Sequence, residues 1–447
     1  MATYHPDLAR QAIPRYTSYP TAVDFTPAVG PERQALALLG VAPDTPVSLY
    51  IHVPYCREIC WYCGCNTGAT GRPARLDAYV DALLAEIGLV AGLLDGRVRS
   101  IHFGGGSPNA LSPAQLLRLA EAIRDQFGVD TAAEWAMEID PRGFDTAYAD
   151  TLAAIGIRRV SIGVQTFAPA IQRAINRVQP YEAIALVAER LHGVGIWHLN
   201  FDLMYGLPGQ RAEDIAETIA AALTLHPARV AMFGYAHLPA MIPRQRMIDA
   251  ADLPDPQQRF AHSALTHDLL VGAGYAPIGF DHFARADDPL AIAAVTGRLR
   301  RNFQGFTDDE AEAVIGIGAS AISQFDGLIV QNEKHVGRYR AAIAGGHLAT
   351  TRGVVRNAED RLRGAIIERL LCDGQVDLAA LCGAHRLALT SLLDALVALA
   401  PLEQRGIARW CGGRLYLDDG DRAYRRVVAA AFDARRRRAA APASLAV

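Results

Sequence analysis

The run CREICWYCGC over residues 56–65 constrains this chain more than any other feature. Cys56, Cys60 and Cys63 are separated by three and then two residues, so one short loop can bring three thiols to a single inorganic centre. Thiolates are the soft ligands that iron–sulfur clusters take. A 4Fe-4S cube held by three cysteines keeps its fourth iron free of protein, and such an iron is a position where substrate binds. The spacing therefore points to chemistry rather than electron storage. A structural zinc site would want four ligands in two short pairs. Cys65 is available as a fourth ligand, but no second pair follows. A disulfide framework fits worse, because the 7 cysteines are an odd number, as expected of a reducing compartment.

Composition excludes several other classes. At 447 residues, 51% hydrophobic and 20% charged, the chain has the makeup of an ordinary globular enzyme with one large domain and a smaller one. A formal charge of -3 offers no general attraction to nucleic acid or to an anionic membrane. The first twenty residues have no apolar core of an export signal, and no apolar stretch approaches the length of a bilayer. A cytoplasmic location and, without a coiled-coil seam, a monomer are the expectations. The basic run at 435–438 reads as a solvated helix end.

Six apolar runs alternate with helical patterns: VSLYIHVP (47–54), RSIHFGG (99–105), EWAMEID (134–140), RVSIGVQT (159–166), WHLNFDLMYG (197–206) and RVAMFGYAHLP (229–239). Strands separated by helices imply a parallel sheet. The expected fold is α/β, a partial, three-quarter (β/α)6 TIM-like barrel with reactive residues at the carboxyl ends of the strands. Residues 1–46 read as an arm rich in Pro and Tyr with no long periodic element, and residues 47–345 as the barrel domain with extensions. Residues 346–447 read as a mainly helical C-terminal domain with a hairpin over IARWCGGRLYLDDG, similar to a winged-helix module. Cys372, Cys382 and Cys411, scattered there, read as buried, inert thiols.

The cysteine spacing resembles that of the radical S-adenosylmethionine enzymes. Strand ends supply the other candidates. Tyr50 precedes the cysteine loop, and Gly104, Gly105, Gly106 and Ser107 end the second strand. Glycines let backbone groups approach a ligand. The Gly-Lys-Ser/Thr ending of a phosphate loop is missing, and a plain turn is the rival reading; the position directly after the second strand favours a run that offers carbonyls to the amino group of S-adenosylmethionine. Glu138, Asp140, Gln165, Asp202, Ala236 and His237 follow at later strand ends. Each carboxylate alone reads equally as a surface strand end or an ion-pair partner. Together they put acceptors and amides on one rim, as ribose hydroxyls and a sulfonium ligand require. Arg177 either pairs with a ligand carboxylate through its planar fork or lies on the surface.

Nine ordered blocks carry a closer resemblance: PRYTSYPT (14–21), LYIHVPYCREICWYCGCN (49–66), FGGGSP (103–108), EIDPR (138–142), GVQTF (163–167), NFDLMYGLPGQ (200–210), YAHLP (235–239), GFDHFAR (279–285) and RNFQGFT (301–307). Up to about residue 345, and more weakly beyond, the chain resembles the oxygen-independent coproporphyrinogen III oxidases, also called coproporphyrinogen III dehydrogenases. The resemblance implies a reduced 4Fe-4S cluster on Cys56, Cys60 and Cys63 that cleaves S-adenosylmethionine to methionine and a 5'-deoxyadenosyl radical. That radical would take a hydrogen from a propionate of coproporphyrinogen III, carbon dioxide would leave, and an acceptor would take an electron. Rings A and B would become vinyl-bearing, giving protoporphyrinogen IX in haem synthesis. An electron donor and an electron acceptor are the implied partners.

By motif position the resemblance places a first S-adenosylmethionine on Tyr50, Gly105, Glu138 and Ile322. A second would fall on Tyr62, Gly106, Ser107, Gln165, Arg177, Asp202 and Ala236. Phe303 and Gln304 match residues the family needs for activity. Cys65 matches a fourth cysteine that is expected not to ligate the cluster. Cys65 and the PRYTSYP arm separate the family from a haem-trafficking paralogue. Asp308 and Asp309 stand where Thr-Gln is usual, and are expected to add negative charge beside a propionate-bearing substrate. Two alternatives use the same scaffold: a haem-binding or haem-transfer protein with axial ligands among His52, His102, His237 and His282, and a radical enzyme acting on another tetrapyrrole.

Overall fold

The structure is a computed structural model, which describes residues 3–436 and 445–446. All six expected strands form: β1 (Pro46–Val53), β2 (Arg97–Gly105), β3 (Val129–Ile139), β4 (Ile157–Gln165), β5 (His198–Tyr205) and β6 (Arg229–Gly234). They pair in sequence order, every neighbour parallel. Further strands extend both edges: β7 (Ala276–Ile278), β8 (His282–Ala284), β9 (Ala313–Ile317), β10 (Ile322–Phe325), β11 (Leu328–Asn332) and β12 (Thr350–Val355). The whole sheet runs β12-β11-β10-β9-β1-β2-β3-β4-β5-β6-β8-β7.

The strands are less uniformly apolar than their sequences suggest, because successive side chains face opposite sides. In β1, Leu49, Ile51 and Val53 join Phe103, Met137, Ile162 and Phe201 in the main core, packed with helix residues such as Tyr79, Leu83 and Leu119. Ser48, Tyr50 and His52 take the other face. There Tyr50 stacks on His102 of β2, which meets Glu138 of β3. The outer face thus holds the helices, and the inner face is polar.

Local signals bring the chain back to each strand. Ser112 caps the helix Pro113–Gln126 through a reciprocal pair with Gln115. Gly156, at φ +83°, ends the helix Thr146–Ile155 one residue before β4 begins.

Four helices, Ala358–Asp373, Leu378–Ala384, Leu393–Gln404 and Arg425–Ala430, surround a second core with a three-stranded sheet that includes the expected hairpin, Ala408–Cys411 and Arg414–Leu417. Leu8, Ala9, Ile13, Tyr16 and Tyr19 of the N-terminal segment belong to this same core. Several expectations need correcting. The first 46 residues do contain a periodic element, the helix Pro31–Leu39. The main sheet continues past residue 345, since β12 pairs with β11. Cys372 and Cys382 are buried, but Cys411 is exposed. Arg435 is not merely solvated: its Nε and Nη2 donate to Asp360 at 3.0 and 2.8 Å. Arg437 and Arg438 of that run lie outside the described residues. No single helix among the described residues is long and apolar enough to cross a membrane.

Candidate active site

The carboxyl ends of the six parallel strands and the loop after β1 enclose a cavity of about 460 Å³. Cys56, Cys60, Cys63 and Cys65 line it, with Gly105, Gly106, Ser107, Glu138, Gln165, Arg177, Asp202, Tyr62 and Ala236. Among the described residues no three His, Cys, Asp or Glu side chains converge tightly enough for a single metal ion. A cube whose cysteines bind three different irons keeps its thiolates farther apart than one ion does. Soft donors on one wall of a roomy cavity therefore fit a cluster.

The thiols are tuned by neighbours. Arg177 Nη1 donates to Cys60 Sγ at 3.3 Å, while Thr67 Oγ1 at 3.1 Å and Ser107 Oγ at 3.5 Å contact Cys56 Sγ. Burial pushes the Cys56 thiol up. Cys63 is drawn down to about 6, first by the Cys65 thiol and then by the Cys65 backbone and the charges of Arg244 and Arg177, against burial. Thiolate character at Cys63 suits a metal ligand.

The glycine turn is forced by crowding. Gly105 has φ +115°, and a Cβ there would lie 2.5 Å from the His52 ring. A Cβ on Gly106 would lie 2.7 Å from the Tyr55 carbonyl oxygen. The turn lies against the backbone of the cysteine loop, where Ser107 N donates to Tyr55 O at 2.8 Å.

The carboxylates of Glu138 and Asp202 also line the cavity. Burial pushes Glu138 up, but the His102 ring, the Gly105 N–H at 3.1 Å and His52 outweigh it and hold the carboxyl below its usual range. Asp202 is pushed up to about 6 by burial and by the charge of Glu138, although Asn200 and Ser161 donate to it at 2.8 and 3.1 Å. Arg177 is a buried residue, 8% exposed, rather than a surface one. Its Nη2 donates to Gly163 O at 2.6 Å, and it stands 3.8 Å from Asp140.

Not every candidate reaches this cavity. Gln304 lines an adjoining interior space with His102, Glu138, Asp202 and His282. Phe303 and Ile322 pack with Phe25, Ile329 and Val354 in a separate cluster. Asp308 and Asp309 are matched by protein rather than left to add free negative charge. Asp309 accepts from Ser48 and from Ser100 Oγ, the latter at 2.7 Å. Asp308 lies 3.8 and 3.7 Å from Arg159 and Arg229. These partners sit towards the amino ends of β1, β2, β4 and β6, away from the cysteine loop. Ring nitrogens of the four histidines contact Tyr50, Glu138, Tyr235 and Asp281.

One residue that sequence reasoning missed is Gln245. Its Nε2 donates to Tyr62 O at 2.9 Å and to Ala236 O at 3.0 Å, tying the cysteine loop to the segment after β6. A glutamine in a short polar turn carries no sequence signal of that kind.

Comparison with known proteins agrees with this geometry. Residues 50–222 match the Radical SAM superfamily. The oxygen-independent coproporphyrinogen III oxidase of Bradyrhizobium diazoefficiens is 43% identical over 426 residues, 95% of each chain. The enzyme of the same name from Escherichia coli is 41% identical over 367 residues, 82% of this chain and 80% of its own.

The chain belongs to the oxygen-independent coproporphyrinogen III oxidase family.

The solved structure of the Escherichia coli coproporphyrinogen III oxidase, described as a radical S-adenosylmethionine enzyme, matches with a TM-score of 0.90 at 36% identity. It covers 95% of this chain, so the structural likeness takes in the C-terminal region as well as the barrel. The family is one of oxidoreductases that use a 4Fe-4S cluster and S-adenosylmethionine.

Proposed function

We propose that this chain carries out the S-adenosylmethionine-dependent oxidative decarboxylation of coproporphyrinogen III, turning the ring A and ring B propionates into vinyl groups and giving protoporphyrinogen IX in haem biosynthesis. The observation that carries this reading is the shared cavity. Three soft thiol ligands, a glycine turn, the carboxylates of Glu138 and Asp202 and the buried Arg177 line it, in a chain similar over nearly its whole length to oxidases of that name. Cys56, Cys60 and Cys63 would hold the cluster, which when bound and reduced would supply the electron for cleaving S-adenosylmethionine and so the radical chemistry at the propionate.

The chain's own work is positioning and exclusion of water, since so reactive a radical must meet its target hydrogen at once. Tyr50, Gly105, Glu138 and Ile322 are assigned to a first S-adenosylmethionine. Tyr62, Gly106, Ser107, Gln165, Arg177, Asp202 and Ala236 are assigned to a second. Asp202 offers acceptors to ribose hydroxyls, Arg177 a planar fork to a carboxylate, and Tyr62 a ring to stack. Phe303 and Gln304 are assigned to the substrate side, and Cys65 is assigned no iron. The reading requires an external electron donor for the cluster and an external acceptor for the electron left when carbon dioxide departs.

The six parallel strands read as a three-quarter barrel, with the unit boundary drawn after β12, near residue 357, rather than at 345. The protein is read as a cytoplasmic monomer. The test is an anaerobic assay of the reconstituted protein with dithionite, S-adenosylmethionine and coproporphyrinogen III, followed by chromatography of the oxidised porphyrins. Protoporphyrin is the expected product. Unchanged coproporphyrin with continuing S-adenosylmethionine cleavage would mean another tetrapyrrole is the substrate.

A further inference from the structure

Arg15, in the N-terminal PRYTSYP run, lines the cysteine-bearing cavity and also a narrow space of about 30 Å³ behind it. That narrow space shares Tyr205, Phe280 and Asp281 with an apolar chamber of about 420 Å³. Arg15 therefore stands between the reaction cavity and a second interior volume lined by both apolar and polar side chains.

Its anchoring is one-sided. Arg301 Nε and Nη2 donate to the Arg15 carbonyl at 3.3 and 3.1 Å and hold its backbone. The Arg15 side chain donates through Nη2 to Gly234 O at 2.6 Å, and its guanidinium carbon lies 5.5 Å from the centre of the Phe233 ring. A guanidinium has five N–H donors. Among the described residues no carboxylate stands within ion-pair distance of it.

The surroundings are cationic. Arg259, Arg301 and Arg426 are held below the usual arginine range by burial first, and the positive charge of Arg15 adds to this in each. Arg301 Nη1 is buried without a hydrogen-bond partner. Asp281 is a carboxylate beside this group, and His282 Nδ1 meets it at 2.6 Å. Burial pushes it up, but His282 and then the charges of Arg301 and Arg15 outweigh this and hold it below its usual range. Positive charge taken out of water, as on the buried Arg301 beside Arg15, is stabilised by an incoming anion.

We infer that Arg15 is a substrate-binding residue that takes a propionate carboxylate of the tetrapyrrole from the wall of the cysteine-bearing cavity. This rests on the decarboxylation reading above. The carboxylate it holds belongs to a propionate that is not reacting at that moment. A guanidinium stabilises the anion, and hence the ground state, of any group about to lose carbon dioxide. Arg15 thus governs substrate affinity and orientation more than bond cleavage.

The test uses reconstituted holoenzyme carrying Arg15→Gln or Arg15→Lys. Arg15→Gln is expected to raise KM for coproporphyrinogen III about tenfold or more with a smaller change in kcat. Arg15→Lys is expected to recover part of the loss, since it keeps the charge without the fork. Cluster iron and affinity for S-adenosylmethionine, which carries a carboxylate of its own, should match the unsubstituted enzyme. An unchanged KM in Arg15→Gln overturns the assignment, as does a loss confined to S-adenosylmethionine binding. Fluorescence quenching of coproporphyrin III by each holoenzyme provides a binding readout independent of turnover, and equal affinity in all three overturns it too. Failure of the unsubstituted enzyme to bind or convert the tetrapyrrole would instead refute the functional reading, a different result from normal conversion by Arg15→Gln.

Discussion

Cys60 is the buried member of the cysteine triad, and Arg177 reaches its sulfur. Serine at position 56, 60 or 63 removes a soft ligand, and each variant is expected to lose cluster iron and visible iron–sulfur absorption after reconstitution. Cys65→Ser is expected to keep both while losing turnover; loss of iron there would make Cys65 a ligand. Asp202 gives the clearest dependence on pH. Its folded pKa of about 6 lies above the ordinary 3.8, so between those values the folded state binds more protons than the unfolded state. Stability from this group is therefore full below about pH 4 and lost as pH rises through about 6, by up to about 3 kcal/mol. Its hydrogen-bond capacity for a ligand hydroxyl moves the other way, because only the ionised form is purely an acceptor. Asp202→Asn should raise the unfolding free energy at pH 7 and weaken S-adenosylmethionine binding. It should also abolish the inflection near pH 6 in that affinity; an inflection that survives in the variant would assign it to another group.

At the scale of elements, the turn after β2 is the most constrained part of the site. A Cβ at Gly106 would lie within 3 Å of the Tyr55 backbone and of Thr67 Oγ1, so the neighbouring loop must give way. Gly106→Ala is expected to cost about 2 kcal/mol in denaturant unfolding and to impair cluster loading, because the loop it displaces begins with the first cysteine. Unimpaired loading would show that the turn and the cysteine loop are not mechanically linked. The six strands were legible because apolar residues mark their outer face and glycine or polar residues end them. Their inner face was not legible, since Tyr50, His102 and Glu138 meet only once β1, β2 and β3 lie side by side. The helix Pro31–Leu39 was missed because two turns surrounded by Pro and Gly leave too short a period to read.

Across the whole molecule, the segment around residues 16–19 meets the segment around residues 433–434. Tyr16 Oη donates to the buried Asp433 at 2.9 Å, and Tyr19 Oη accepts from Ala434 N at 3.2 Å. Tyr16→Phe removes a donor to a buried carboxylate and is expected to lower stability by about 1.5–3 kcal/mol while cluster iron stays normal; an unchanged unfolding midpoint would show that water replaces the phenol. This closure brings Arg15 to the cavity wall from a segment about forty residues ahead of the cysteines. The sequence by itself determined the local chemistry: ligand type and spacing, the glycine turn, and strands that hand polar residues to one rim. These are properties of neighbours along the chain, set by side-chain identity and periodicity. Tertiary structure alone decided which buried charges would face one another. It matched Asp308 with Arg159 and Arg229, pressed Arg177 against Cys60, and put Arg15 among arginines from distant segments. The reason is physical. A charge's environment depends on what packs against it across the fold, and desolvation and Coulomb energy act through space rather than along the chain.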